Sequence, residues 1–172
     1  WKIGETMITG VGQGFLTTTP IQLAVMTAMI ANNGKRIFPF IYKNIDQVNI
    51  DDNQVFTTQT LYQKKFFSLI KSGMFSAVNK PFGTAYESRT TKPIFAGKTG
   101  TVQVRTISEK ERELGIIPNK ELPIEHRDHA IFVGFAPYEN PKIALSVVVE
   151  HGGSGSRIAA PIAKKIFKKI LS

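Results

Sequence analysis

The stretch Phe95-Ala96-Gly97-Lys98-Thr99-Gly100-Thr101-Val102-Gln103-Val104 decides how the chain is read. Its Gly-Lys-Thr core admits two incompatible structures. A phosphate-binding loop needs a glycine five residues before the second glycine and must open a helix, so that free N–H groups face the phosphate. That position is Lys92, and Val102 and Val104 continue as strand. The stretch therefore reads as a β-strand over Ile94 to Val104 around a small-residue centre. On such a strand the Lys98 ammonium and the hydroxyls of Thr99 and Thr101 suit a substrate carboxylate. Gly100 leaves an edge bare, so that a peptide backbone can lie against it.

Outward from this strand the pattern alternates between helix and sheet. Thr19-Pro20-Ile21-Gln22 is a helix start: Thr19 caps, Pro20 has no N–H to leave unsatisfied, and Gln22 completes a capping box. Ile21, Ala24, Val25, Ala28 and Met29 form its apolar face, and Gly34 is its stop. A second helix is predicted over about Thr58 to Val78, burying Leu61, Phe66, Leu69, Ile70, Phe75 and Val78, with Gly73 weakening its middle. His129 to Ala136 and Ile143 to Val149 are apolar on both faces and read as central strands. The short Pro137 to Pro141 segment joins them as an antiparallel hairpin. A last helix over Arg157 to Leu171 sets Ile158, Ile162, Ala163, Ile166, Phe167, Ile170 and Leu171 against Lys164, Lys165, Lys168 and Lys169. The polar segment from Thr106 to Asp128 is expected to form an exposed, extended hairpin tip. Three strands with flanking helices make an α+β fold.

The 172 residues, 42% apolar and 20% charged, suit one domain with its own core and exclude disordered, collagenous and coiled-coil chains. With 22 Lys and Arg against 13 Asp and Glu, the net charge of +9 favours anionic partners without choosing among them. No cysteine is present, which excludes disulfides, thiol nucleophiles and cysteine-ligated metals. Thr6 to Gly34 is uncharged, but its apolar part, Pro20 to Ala31, falls short of the roughly 18 to 20 residues that cross a bilayer. No signal peptide is visible, and a start at Trp1 instead of Met suggests a segment of something larger.

In order along the chain, these motifs resemble the C-terminal half of the transpeptidase domain of class B penicillin-binding proteins. The stretch Trp1 to Thr6, Gly12-Gln13-Gly14 and Thr18-Thr19-Pro20-Ile21-Gln22 resemble the family's Gly-Gln-Gly segment and the helix after it. Gly83-Thr84-Ala85 then precedes Ala96-Gly97-Lys98-Thr99-Gly100-Thr101. The block Arg127-Asp128-His129-Ala130 with Phe132, Gly134-Phe135-Ala136-Pro137-Tyr138, and Val147 to Gly153 is most similar to the elongation, or rod-shape, branch. The resemblance implies a partial β-lactamase/transpeptidase-like fold, residues 1–172 being the C-terminal part of one transpeptidase domain. It implies a peptidoglycan D,D-transpeptidase that works through an acyl-serine intermediate. Lys98 would supply positive charge, Thr99 and Thr101 would bind the carboxylate of a D-Ala-D-Ala stem peptide or a β-lactam, and the Thr101 N–H would be half of the oxyanion hole. Elongation-complex proteins are the implied partners. The implied location is the periplasmic face of the bacterial inner membrane, through an anchor upstream of this chain. No cofactor, metal or nucleic acid is expected.

The family's Ser-x-x-Lys and Ser-x-Asn motifs belong upstream of the Gly-Gln-Gly segment and have no counterpart here. Ser68-Leu69-Ile70-Lys71 spells the first but falls after that segment, within an amphipathic helix, and Ser76-Ala77-Val78 does not spell the second. The 172 residues alone are therefore expected to be inactive, with marginal stability or self-association where surface meant for the missing half is exposed. Two alternatives remain, a non-catalytic basic scaffold and a related β-lactamase or carboxypeptidase; the Gly-Gln-Gly segment and the Arg127 to Tyr138 block argue against the second. His126, His129 and His151 are too scattered for a metal site and read as strand-end histidines. Gly152-Gly153-Ser154-Gly155-Ser156, ahead of the last helix, could form an anion-binding nest but reads rather as a tight glycine-rich turn. The lysine face of the last helix reads as solvated, and Gln13 is placed near the site only if its loop is.

Overall fold

The computed structural model describes residues 2–10, 12, 14, 16–35, 37–39, 44–45, 48–49 and 64–171. In chain order these form α1 (Ile3–Gly10), α2 (Pro20–Ala31), the short strands β1 (Asn44–Ile45) and β2 (Val48–Asn49), α3 (Lys64–Asn79), β3 (Ala96–Val102), α4 (Glu109–Leu114), β4 (His129–Ala136), β5 (Ile143–Val149), a π-helical turn over Gly155–Ala159 and α5 (Ala160–Ile170). Strands β3, β4 and β5 make an antiparallel sheet in that order, and β1 and β2 pair separately.

Helix α2 begins where its capping residues dictate. The Gln22 N–H donates to Thr19 Oγ1 and the Thr19 N–H to Gln22 Oε1, with Pro20 in the first turn. It ends in a Schellman pattern, Gly34 N–H to Met29 O at 2.8 Å and Asn33 N–H to Ile30 O at 3.2 Å. Asn33 takes the left-handed conformation, with φ 55°, one residue before the predicted Gly34.

Alternation along β4 sorts the core into two sides. Ala130, Phe132 and Ala136 pack with Phe95, Val78, Ala85 and the α5 residues Ala160, Ala163 and Phe167. Phe135 packs on the other side, with Ala96, Ala31 of α2 and Met74 of α3. Phe95, Phe132 and Phe167 are fully buried, each contributing about 1.5–3 kcal/mol of hydrophobic stabilisation. The Phe95 ring lies 5.2 Å from Phe167 and 6.1 Å, edge-on, from Phe132. Phe132 covers the cross-strand pair Gly97↔Gly134 so closely that a Cβ on Gly97 would lie 2.2 Å from its ring. Both positions exclude any side chain for this reason.

Several expectations are corrected. Strand β5 is not central, because β4 alone has a partner on each side among the described strands. Thr106 to Asp128 is exposed as expected but is no extended hairpin; it carries α4 and the 3-10 turns Asn119–Glu121 and Ile124–His126. Helix α3 buries Phe67, Met74 and Val78 while Phe66, Leu69 and Ile70 face outward. Val78 and, in part, Phe75 are buried as predicted, whereas Phe67 and Met74 take the place expected of Phe66, Leu69 and Ile70. On α5, Ala163 and Phe167 are buried as predicted, but Ile162 and Ile170, like Ile158 in the π-helical turn before it, are exposed, since the close approach of α5 selects its alanines. Leu61 and the predicted start of the second helix, Thr58 to Gln63, lie outside the described residues.

Candidate active site

The four residues singled out in the sequence all lie on β3, the outer strand of the sheet, whose second edge has no partner among the described residues. The register pairs Lys98 with Val133, Thr99 with Phe132, Gly100 with Ile131 and Thr101 with Ala130. Residues opposite one another share a face, so Lys98 and Gly100 lie on the α2/α3 side with Ala96. Thr99 and Thr101 lie on the α5 side with Phe132. Lys98 and Thr101 are exposed, and Thr99 is half-buried. A ligand lying along the open edge, in the plane of the sheet, can thus be touched by the ammonium from one side and the hydroxyls from the other.

Two local arrangements hold this strand. The Asn79 side-chain amide donates to Phe75 O at 3.0 Å and to Phe95 O at 2.9 Å, fastening the end of α3 to the residue before β3. The chain then turns tightly through Gly83, where a Cβ would lie 2.4 Å from Ala77 O, and the Ala85 N–H donates to that carbonyl. This delivers Thr84 to β3, with its Oγ1 hydrogen-bonded to Thr99 Oγ1 at 3.0 Å. The Lys98 ammonium donates to the Thr99 carbonyl at 2.8 Å.

The two sides of Gly100 differ. Among the described residues a Cβ there would meet nothing closer than Ile131 Cβ at 3.5 Å, an ordinary contact, so none of them demands glycine. On the α5 side the bare backbone is covered by Gly155, whose Cβ would lie 2.4 Å from Gly100 O and 2.5 Å from Ile131 O. The turn ahead of α5 is thus the floor of the strand, and the open space lies above it, on the Lys98 side. The Gly152–Ser156 segment is a tight turn, as expected: the N–H groups of Gly152, Gly153 and Ser154 donate to Val149 O, Asp128 O and Gly152 O.

Beyond β3, Arg105 forks onto Glu111, with N···O distances of 2.7 and 2.5 Å, while Glu111 Oε1 also accepts the Ile117 N–H. The Arg105 hydrogen bond is the main cause that holds the Glu111 carboxyl at about 2, below the usual 4.5, and the same bond raises the Arg105 guanidinium. A carboxyl depressed on folding contributes stability that is complete above its unfolded value, near 4.5, and is lost as pH falls through about 2. Hydrogen-exchange protection at Ile117 is expected to decline between pH 4.5 and 2, and Glu111→Gln to abolish that pH dependence. Unchanged protection in the wild type down to pH 2 would rule out this anchoring of the loop.

Ser68 is exposed on α3. His129 Nδ1 accepts the His151 N–H at 3.0 Å, and His151 Nδ1 lies 3.1 Å from Arg127 O, so both histidines have strand-end partners. Among the described residues, no three His, Asp or Glu converge on a possible metal position, and no helix is long and apolar enough to cross a membrane. Gln13 lies outside the described residues. Sequence reasoning did not find the Thr84–Thr99 hydrogen bond or the seating of Gly155 on Gly100. Gly83-Thr84-Ala85 and the glycine-rich turn were the visible signals, but neither reveals its partner across the fold.

An α+β unit with a Lys-Thr-Gly-Thr strand at an open sheet edge matches the penicillin binding protein transpeptidase domain over residues 1–168, and the chain belongs to that family. Among its relatives is the peptidoglycan D,D-transpeptidase MrdA of Haemophilus influenzae, 35% identical across 100% of this chain and 26% of that protein. The chain thus spans about a quarter of this relative's length. Among solved structures it is similar to PBP2 of Pseudomonas aeruginosa, determined in complex with WCK 5153, with 40% identity, a TM-score of 0.79, and coverage of 99% of this chain and 34% of that one. It is also similar to PBP2 of Helicobacter pylori in its complex with MreC, with 33% identity, a TM-score of 0.73, and coverage of 99% and 28%. The resemblance read from the ordered motifs and the fold class inferred with it both hold.

Proposed function

We propose that this chain is the part of a serine-type peptidoglycan D,D-transpeptidase that presents the substrate strand, the protein acting in cell elongation at the periplasmic face of the inner membrane, through an anchor upstream. The observation that carries the reading is the open edge of β3, with Lys98 exposed, Thr99 hydrogen-bonded to Thr84, and open space over Gly100. The stem peptide would lie antiparallel or parallel to that edge, its terminal carboxylate between Lys98, Thr99 and Thr101. The Thr101 N–H would meet the oxyanion that develops on the penultimate D-Ala carbonyl.

In that reaction the Oγ of a serine outside this chain bonds to the carbonyl carbon, and the C–N bond to the terminal D-Ala breaks. The departing amine takes up a proton. An acceptor amine then attacks the ester, restoring the serine and completing the cross-link. A β-lactam follows the first half, its ring amide opening while the amine remains tethered to the acyl group. Scaffold proteins of the elongation machinery are the proposed partners, in the manner of the MreC complex of the Helicobacter relative.

The test is covalent labelling by a fluorescent penicillin of both the whole protein and the 172-residue chain. Labelling of the whole protein alone is expected. A whole protein that stays unlabelled would overturn the enzyme reading in favour of a basic scaffold, and labelling of the short chain would return the nucleophile to Ser68.

A further inference from the structure

We propose that a second site, a cleft on the α5 side of the sheet, binds a phosphate group. The cleft has a volume of about 570 Å³ and lies between the 3-10 turn Asn119–Glu121, Arg127 and the segment from Gly152 to Ile158. Lys120, Arg127 and Arg157 bring three cations to it, and Ser154 and Ser156 two hydroxyls. Because Gly155 is seated against the backbone of Gly100 and Ile131, this cleft and Lys98 lie on opposite faces of β3. It is therefore separate from the proposed substrate edge, and its argument does not depend on acyl transfer.

The cations are set in different ways. Arg127 is pinned, its Nε donating to Leu122 O at 2.9 Å and one Nη reaching Lys120 O at 3.4 Å, which fixes the guanidinium with donors to spare. Among the described residues the side chains of Lys120 and Arg157 have no acidic partner. Asp128, next to Arg127 in the chain, does not line the cleft and is held by the Asn119 amide at 2.8 Å. With no carboxylate among the residues that line the cleft, its three cations favour an anion. The fork of an arginine suits the paired oxygens of a phosphate. Ser154 Oγ and Ser156 Oγ are 3.1 Å apart, so one can donate to a bound oxygen while accepting from the other. The backbone N–H groups of Gly152, Gly153 and Ser154 are already used within the fold, which leaves recognition to side chains.

The phosphate can come from a soluble molecule or from a phospholipid headgroup, and two arms on the whole protein separate the sources. Inorganic phosphate is titrated by ³¹P line broadening, and monomeric short-chain phosphatidylglycerol is compared with short-chain phosphatidylcholine as a competitor for the bound phosphate. Saturable phosphate binding, weakened at least tenfold in the double variant Lys120→Gln/Arg157→Gln, is expected. Displacement of the phosphate by short-chain phosphatidylglycerol and not by phosphatidylcholine would assign a lipid headgroup, and phosphate binding that neither lipid displaces would assign a soluble ligand. Penicillin labelling of that variant at the wild-type rate shows that it is folded and keeps this test apart from the transpeptidase reading. No saturable phosphate binding, or binding undiminished in the double variant, would overturn the proposal.

Discussion

Gly155→Ala is expected to lower stability by about 3 kcal/mol or more, the upper part of the range for forcing atoms into a packed interior. In thermal unfolding this is a loss of roughly 6 to 12 °C for a domain of this size. The added methyl would sit 2.4 and 2.5 Å from two carbonyl oxygens of the β3–β4 ladder, and backbone in a paired strand cannot swing aside as a side-chain tip can. Relief requires that the turn lift off the sheet, which draws Ala159, Ala160, Ala163 and Phe167 away from Phe95 and Phe132. Gly100→Ala is the matched control. Its methyl meets only ordinary contact at 3.5 Å, so stability should change by less than about 1 kcal/mol. That methyl nevertheless projects on the Lys98 side, over the proposed peptide path, and penicillin labelling should slow. Equal melting temperatures for wild type and Gly155→Ala would disprove the seating of the turn on β3.

Lys98→Ala in the whole protein is expected to slow penicillin labelling by about 10²- to 10³-fold, the usual consequence of removing one preorganised donor from a charge-stabilising site. The fold should be indifferent to the change, because the side chain is exposed and, among the described residues, its ammonium binds only a carbonyl of its own strand. Thermal unfolding within about 1 kcal/mol of wild type, together with lost labelling, would place the effect in the site. Labelling at the wild-type rate would remove Lys98 from the proposed chemistry.

The elements that were legible in the sequence are those whose determinants are local. Thr19, Pro20 and Gln22 specify the start of α2 without help from the rest of the chain, and the hydrogen bonds are those the capping box predicts. β4 and β5 run over the predicted residues, because continuous apolar stretches bounded by turn residues leave little choice of register. Lys98 to Thr101 fall within the predicted strand for the same reason. What could not be read depends on partners distant in sequence. The periodicity of α3 offers Phe66, Leu69 and Ile70 as readily as Phe67 and Met74, and only the position of the sheet decides between them. The centrality of β5 depends on which strands flank it. A polar segment such as Thr106 to Asp128 announces its exposure, yet its short helix is capped by Ser108 and also held by an Arg105–Glu111 fork that composition does not reveal. Gly97, Gly134 and Gly155 are indistinguishable in the sequence from turn glycines, although each is required by an atom approaching from another element.

The two outer strands of the sheet also differ in their hazard for aggregation. An unpaired strand edge is a template for any other strand, and charged side chains, lysine above all, are the common deterrent. β3 carries Lys98 at the middle of its exposed edge, whereas β5, Ile143–Val149, has no charged residue along its length. The lysine proposed to attract a peptide carboxylate thus also acts as a gatekeeper, opposing the docking of a second β3 whose own ammonium would have to come alongside. β5 has no such protection, and copies of the isolated chain that meet edge to edge should do so there first.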